Sequence, residues 1–138
     1  MRHLILGVLL FASCKSSPVA DCNLKSFDEK DYKLIDSNKD DLGNKYSELY
    51  VNKQNSEMQL KKIFWENGKV QSSVFFSRGN KLSGPGILFD SSGTMIYEGF
   101  YFEDKPLGVT IQYDAQSKKA IIKTYGEGGQ VVNQQNVN

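Results

Sequence analysis

The chain has 138 residues, with 17 Lys and Arg against 16 Asp and Glu, one His and two Cys. This near-neutral charge excludes the basic surface that a nucleic-acid-binding protein uses to neutralise phosphates. The eight Phe and seven Tyr residues supply more core-forming side chains than a disordered chain contains. Length and composition therefore predict one small folded domain without a nucleic-acid partner.

The first residues have the pattern of a secretory leader. A short positive start precedes an apolar run from Leu4 to Phe11, which is too short to span the roughly 30 Å of hydrocarbon in a bilayer. The run ends in Phe11-Ala12-Ser13-Cys14, which resembles the lipobox of bacterial lipoproteins, in which the Cys is lipidated and becomes the new N-terminus. We therefore expect a signal peptide at residues 1–13 and lipidation of Cys14. The alternatives are a leader that is cleaved without lipidation and a buried strand or helix.

Removal of such a leader would leave 125 residues without histidine, in which 16 cationic side chains balance 16 acidic ones. Histidine is the usual general base near neutral pH and the commonest metal ligand, so its loss excludes Ser-His-Asp catalysis, Cys-His catalysis and histidine-containing zinc sites. One unmodified thiol would remain, Cys22, as a free buried thiol or as half of an intermolecular bridge. We expect no enzyme activity, no cofactor and no metal.

Two segments precede the main repeat pattern. Residues 14–24 are small, polar and interrupted by a proline, which is typical of a tether. Residues 25–57 form a segment that either packs across the predicted sheet or extends it at one edge. Within this segment, Phe27 to Ile35 fits a short helix or an entry strand, and Lys45 to Val51 alternates as a strand does.

A polar stretch between these two elements begins like a calcium-binding loop. From Asp36 to Gly43 it places oxygen ligands at alternate positions. The pattern then fails, because the sixth position holds Asp41 instead of Gly and the twelfth holds Ser47 instead of Glu. Asp, Asn, Ser and Gly also stabilise turns through local hydrogen bonds. We therefore predict a solvated turn here.

From Phe64 onward, aromatic residues recur at intervals of 12 or 13 residues, and each is closely followed by a turn-like cluster. The aromatic residues are Phe64, Phe76, Phe89, Tyr101, Tyr113 and Tyr125. The segments between the clusters are rich in β-branched and aromatic residues, which favour strands. Asn67-Gly68 suits a tight hairpin turn, whose central residues need positive φ. The pattern predicts a mainly β fold: an antiparallel meander of repeated β-hairpins in a single sheet, with a short mixed N-terminal element.

Two such strands make one hairpin, so the predicted repeat is about 24 residues long. The clearest copy runs from Tyr97 to Gly108, and its characteristic positions are Tyr97, Gly99, Tyr101, Asp104, Lys105 and Gly108. A second copy contains Gly84 and Gly86, and a third runs from Lys123 to Gly129. These copies resemble the MORN repeat (membrane occupation and recognition nexus), in the variant form found in bacterial proteins with antitoxin labels. The resemblance implies β-hairpin repeats over residues 58–132.

The glycines of these copies have a structural task. Gly84 and Gly108 lie where the chain enters a strand after a turn, a position that needs positive φ or a close approach of two backbones. Gly86 and Gly99 complete the set of repeat glycines. After the repeats, residues 133–138 are polar and rich in amides, which predicts a flexible tail that follows at most a short edge strand at Val131 and Val132.

The repeated aromatic residues are expected to stack into a core, and the alternative is an exposed platform for a ligand or peptide. Alternation along one strand places Tyr97 and Tyr101 on one face and Phe100 and Phe102 on the other. A sheet of this kind has one covered face and one free face. One of these two pairs is therefore the candidate binding surface.

The sequence thus predicts a non-catalytic, lipid-anchored protein that docks a protein or an envelope component on its repeat sheet. The resemblance implies toxin neutralisation as one version of this function, in the manner of an antitoxin or immunity protein. The membrane would be a partner through the lipid, at the outer membrane rather than the inner, facing the periplasm or the cell surface. The alternative is direct association of the repeats with membrane lipid, although the chain lacks the positive charge that attracts anionic headgroups.

Overall fold

A computed structural model describes residues 27–138 and contains ten antiparallel strands with almost no helix, which confirms the predicted hairpin meander. The predicted signal peptide at residues 1–13, lipidated Cys14, tether at residues 14–24 and Cys22 lie outside the described residues. The strands are β1 (Tyr32–Lys39), β2 (Lys45–Asn52), β3 (Gln59–Phe64), β4 (Val70–Ser77), β5 (Lys81–Phe89), β6 (Met95–Phe102), β7 (Lys105–Pro106), β8 (Gly108–Asp114), β9 (Lys119–Tyr125) and β10 (Val131–Val137).

The strands form one open sheet in the order β1-β2-β3-β4-β5-β6-β8-β9-β10. The two-residue strand β7 pairs with the end of β6, and β8 continues along the same side of β6. Leu107 lies between β7 and β8, and its backbone N–H donates to the Phe100 carbonyl at 2.8 Å. Neighbours in sequence are therefore neighbours in the sheet, as hairpin repeats require.

The turns repeat with a period of 25 residues, close to the predicted 24. At one end of the sheet, the residues with positive φ are Gly43, Gly68, Gly93 and Lys118, each 25 positions after the last. At the other end, they are Gly79, Asn80, Glu103, Asp104 and Gly129. In the first three turns of the first set, the glycine N–H donates to the carbonyl three residues earlier, at 2.9 to 3.0 Å. The repeat is therefore a repeat of turn geometry as much as of side chains.

The segment before the repeats both extends the sheet and lies on it. Strands β1 and β2 add to one edge, and the turn between them is the polar stretch that begins like a calcium loop. There the Asp40 carboxylate accepts from the backbone N–H groups of Leu42 and Asn44, at 3.0 and 2.8 Å. Ahead of β1, Phe27 and a single 3₁₀ turn, Glu29–Asp31, lie against the sheet.

The core lies on one face of the sheet, which we call the covered face. Leu60, Phe75 and Phe100 are buried there. The ring of Phe27 meets Phe75 and Phe100 edge to face, with centroids 5.4 and 5.6 Å away. Tyr32 packs against Phe75 in the same way, at 5.3 Å. The core is aromatic, but the prediction that the series from Phe64 to Tyr125 forms it is wrong, because all six of those residues are only half-buried. Phe75 and Phe100, each next to one of them in sequence, alternate onto the covered face and are buried there instead. Phe27 joins the segment before β1 to the repeats.

The structure corrects the prediction of a flexible tail at residues 133–138. Residues Val131–Val137 form β10, which pairs with β9 along its length. The physical reason is that strand pairing uses backbone groups, which polar Asn and Gln residues carry as well as any others. All seven side chains of β10 are exposed, so composition alone gave no sign of a strand.

Candidate functional site

Strand β6 distributes the four predicted aromatic residues over both faces of the sheet. Phe100 is only 4% exposed, because it packs beneath Phe27 on the covered face. It therefore belongs to the core and is removed from the candidate binding surface. Phe102, on the same face, is 41% exposed at the end of the strand. Tyr97 and Tyr101 are half-buried on the opposite face, which we call the open face.

The two tyrosines of the open face form a hydrogen-bonded pair. Their hydroxyl oxygens are 2.6 Å apart. Each ring lies over a glycine: a Cβ added at Gly99 would be 2.8 Å from the Tyr97 hydroxyl, and one added at Gly86 would be 3.3 Å from the Tyr101 ring. Gly86 and Gly99 are paired across β5 and β6. The two glycines thus create the shallow floor on which the tyrosine rings rest.

This arrangement favours the uncharged form of Tyr97. Burial raises the pKa of the Tyr97 hydroxyl well above its usual range, and the hydrogen bond with Tyr101 raises it further. Tyr97 is therefore neutral at physiological pH, and the pair offers two rings held in place by the sheet. Rings that are already fixed lose little conformational entropy when a partner packs against them.

The tyrosines belong to a row of side chains that crosses the open face. Cross-strand pairing connects, in order, Ile63, Ser72, Leu88, Tyr97, Gln112 and Ile121. We call this set the transverse row. It contains no charged residue, and its two most exposed apolar side chains are Ile63 at 36% and Leu88 at 39%. Ile63 and Leu88 were not among the predicted site residues, because the register between strands decides which side chains share a face with Tyr97.

The turns at one end of the sheet hold the strands of this row together. Trp65 Nε1 donates to the Phe89 carbonyl at 3.2 Å, and Asn67 Nδ2 donates to the Ser91 carbonyl at 2.7 Å. Lys69 Nζ reaches the next carbonyl, that of Ser92, at 2.7 Å. The donors and acceptors are 23 or 24 residues apart, so one repeat is bonded to the next. These bonds fix the spacing between Ile63 on β3 and Leu88 on β5.

Two of the repeat glycines act away from this row. Gly84 and Gly108 have φ values of +114° and +71°. Gly108 begins β8, as predicted for a residue that enters a strand, whereas Gly84 is the fourth residue of β5 and lies inside it. A side chain at Gly84 would point at the ring of Phe27. Gly84 therefore serves the covered face, whereas Gly86 and Gly99 serve the open face.

Two acidic residues that follow β6 are hydrogen-bonded to β5, one through its carboxylate and one through its backbone N–H. The Asp104 carboxylate accepts from the Leu82 backbone N–H at 2.8 Å, and the Glu103 N–H donates to Ser83 Oγ at 3.3 Å. Burial raises the pKa of the Glu98 carboxyl. In residues 27–138, no group of three or more His, Cys, Asp and Glu side chains is placed to hold a metal ion. Within the same residues, no helix is long and apolar enough to cross a bilayer.

Comparisons with known proteins assign neither a family nor an activity. No protein-family model matches the chain, and no curated protein matches it. A crystal structure of a TarM mutant from S. aureus, in complex with fondaparinux, alpha-GlcNAc-glycerol and UDP, aligns with a TM-score of 0.44 and 16% identity. The alignment covers 78% of this chain and 22% of that chain, so this chain spans about a fifth of that protein.

Proposed function

We propose that this chain is a non-catalytic, lipid-anchored protein of the bacterial cell envelope that binds a protein partner on the open face of its sheet. The observation that carries the proposal is the transverse row, an uncharged row of side chains with a fixed tyrosine at its centre. The lipobox-like Phe11 to Cys14 supports the anchor. The loss of the single histidine with the leader supports a function without catalysis.

The size of the row favours a protein over a small molecule. It crosses six strands, which at about 4.8 Å per strand gives a width of about 24 Å. Strands of about eight residues give a similar length, so the open face offers about 600 Å². This area is close to the roughly 800 Å² that each partner contributes to a standard protein interface. An antitoxin-like version of the function, in which the partner is a toxin, rests on the MORN resemblance.

The side chains of the row suit an interface that combines apolar anchors with polar groups beside them. Leu88 and Ile63 can enter apolar pockets of a partner, and Tyr97 supplies a rigid amphipathic ring beside Leu88. Ser72 lies between Ile63 and Leu88, Gln112 lies on the far side of Tyr97, and both can donate or accept hydrogen bonds. Because the row carries no charge, binding through it should depend little on salt concentration.

Photo-crosslinking on intact cells tests the binding face. A photoreactive residue at Gln112, within the transverse row, should capture a discrete partner from the envelope, whereas the same residue at Leu42, exposed in the first turn, should not. Introducing Leu88→Arg should abolish the capture, and the matched substitution Leu42→Arg should leave it intact. Unchanged capture by a folded Leu88→Arg variant would remove the open face from consideration.

Metabolic labelling tests the anchor separately. A palmitate analogue should label the wild-type chain and should not label the Cys14→Ser variant. Equal labelling of both proteins would show that Cys14 is not the lipidated residue, without bearing on the binding face.

A further inference from the structure

Strand β10 is an edge strand without the usual protection against pairing. It hydrogen-bonds to β9 on one side, and no other described strand pairs with its second side. All seven residues are exposed, and the sequence Val131-Val132-Asn133-Gln134-Gln135-Asn136-Val137 contains no charge and no proline. Proteins normally protect such an edge with charged residues, prolines or bulges, because its free N–H and C=O groups can pair with another strand.

The opposite edge of the sheet has this protection. Strand β1 carries Lys33, Asp36 and Lys39, and its pairing with β2 has two register shifts. Strand β10 has one register shift, at its beginning, between Val131 and Asn133. From Asn133 to Val137 it pairs regularly with β9. The two edges thus differ in their capacity to accept a further strand.

We propose that β10 pairs antiparallel with β10 of a second copy of this chain, which makes a two-fold symmetric dimer with a continuous sheet. This inference goes beyond the proposed function and does not depend on it. A two-fold axis perpendicular to the sheet places a residue opposite its own copy. An axis at Gln134 or at Gln135 sets amide side chains opposite amide side chains at the centre of the interface.

The composition of β10 suits self-pairing. An Asn or Gln side chain carries both donors and an acceptor, so two identical amides can satisfy each other across the strands. An uncharged strand meets no repulsion from its own copy. The nearest cation on β9 beside this segment is Lys123, paired with Gln134. The two copies of Lys123 would be separated by three strand spacings, about 14 Å, which exceeds the screening length of about 8 Å at physiological salt.

Symmetry also favours this dimer over a chain of copies. Pairing of β10 with β1 of another molecule would be head to tail and would leave both outer edges free, so it would continue into a filament. The charges and register shifts of β1 oppose that arrangement. Pairing of β10 with β10 uses both unprotected edges and leaves only protected β1 edges outside.

Introducing charges at the axis tests the proposal. The association state of the full chain is measured by analytical ultracentrifugation in detergent. The wild-type chain should be a dimer. Gln134→Lys and Gln134→Glu should each weaken dimerisation about tenfold or more, because like charges then lie at the axis or one residue from it. An equimolar mixture of the two variants should restore a dimer. The control Gln112→Lys, which adds the same charge on the exposed part of β8, should dimerise as the wild type does.

The segment before β1, with any lipid attached to it, is the same in all these proteins, so association through it cannot produce the predicted differences. A monomeric wild-type chain would overturn the proposal, as would dimers that persist in both Gln134 variants. Circular dichroism establishes that each variant is folded. The second pair, Gln135→Lys and Gln135→Glu, repeats the test if either Gln134 variant fails to fold.

Discussion

The ring of Phe27 occupies the space in which a side chain at Gly84 would begin. Phe27 lies ahead of β1, and Gly84 lies in β5 with φ of +114°. The same ring packs edge to face on Phe75 and Phe100. One glycine thus lets the segment before the sheet pack directly on the backbone of the repeats.

Replacing Gly84 by Ala should be strongly destabilising. The new methyl group would overlap the Phe27 ring, and the positive φ would strain the alanine backbone. We expect a loss of about 2–4 kcal/mol in the free energy of unfolding, measured with urea. The control is Gly43→Ala, where φ is +83° but the space beside the glycine is open, so only the backbone cost of about 1–2 kcal/mol applies.

A double-mutant cycle separates the two causes at Gly84. Once Phe27→Ala has removed the ring, Gly84→Ala should cost only about as much as Gly43→Ala does. If Gly84→Ala costs as much in the Phe27→Ala background as in the wild type, the overlap with the ring is contradicted and the positive φ alone explains the effect.

Two half-buried tyrosines should make the fold sensitive to alkali. Burial, together with hydrogen bonding, raises the pKa of Tyr97 above its usual range and that of Tyr50 to about 12. Above about pH 10 the unfolded chain releases these protons while the folded chain retains them, so stability falls as pH rises, by up to about 1.4 kcal/mol per pH unit for each tyrosine. Tyr97→Phe should reduce this slope in urea titrations from about pH 9 to about pH 11. An unchanged slope would contradict the assignment to Tyr97.

The sequence predicts the parts of this fold that are local in the chain. The alternation around Tyr97 places its side chain and that of Phe100 on different faces of the sheet, because side chains alternate in any strand. Asn67-Gly68 marks a turn, but only Gly68 has positive φ, so the prediction of positive φ at both residues is wrong for Asn67. The Gly68 N–H donates to the Trp65 carbonyl, so Glu66 and Asn67 are the central residues of the turn and Gly68 follows them in the left-handed conformation, which glycine adopts at low cost. The strand and turn period also follows, since each repeat uses the same turn geometry.

Contacts between distant segments could not be predicted in this way. The packing of Phe27 on Gly84 joins two residues with no shared pattern, and either face of the sheet could have received the ring. The pairing of β10 is missed for a different reason. A segment rich in Asn and Gln does not have the composition typical of a strand, yet its backbone pairs with β9. The importance of Leu88 in the transverse row depends on which face stays open, a property of the assembled sheet.

Asp104 combines an unusual backbone conformation with a side-chain hydrogen bond. Its φ is +70°, and its carboxylate accepts from the Leu82 N–H. We expect Asp104→Asn to be nearly neutral, because asparagine tolerates this φ and keeps the acceptor. Asp104→Gly should lose the acceptor alone and cost about 1 kcal/mol, and Asp104→Ala should lose both features and cost about 2–3 kcal/mol. A different order of the three variants in urea unfolding would contradict this account.

Three exposed carboxylates at the turns should make the fold sensitive to acid. Hydrogen bonds within the turns lower the pKa of Asp40, Asp90 and Asp114, chiefly from the Asn44 backbone N–H and from the Ser92 and Ser117 hydroxyl groups, respectively. The unfolded chain therefore takes up these protons first, and the stability that the carboxylates contribute is lost as pH falls from about 4 through the lowered pKa values. Replacing all three by Asn should reduce the loss of unfolding free energy on acidification. The acid limb, the low-pH part of the plot of unfolding free energy against pH, should therefore become flatter.

Glu98 provides a control for this sensitivity to acid, because its contribution to stability changes with pH in the opposite direction. Burial raises its pKa, so the folded chain binds the proton more readily than the unfolded chain, and acidification relieves the cost of a buried charge. Glu98→Gln should therefore stabilise the protein near neutral pH and steepen the loss of stability on acidification, because the compensating gain is removed. Urea unfolding from about pH 7 to about pH 3 measures both effects. A Glu98→Gln variant that flattens the acid limb, as the Asn variants do, would contradict the burial of this carboxyl.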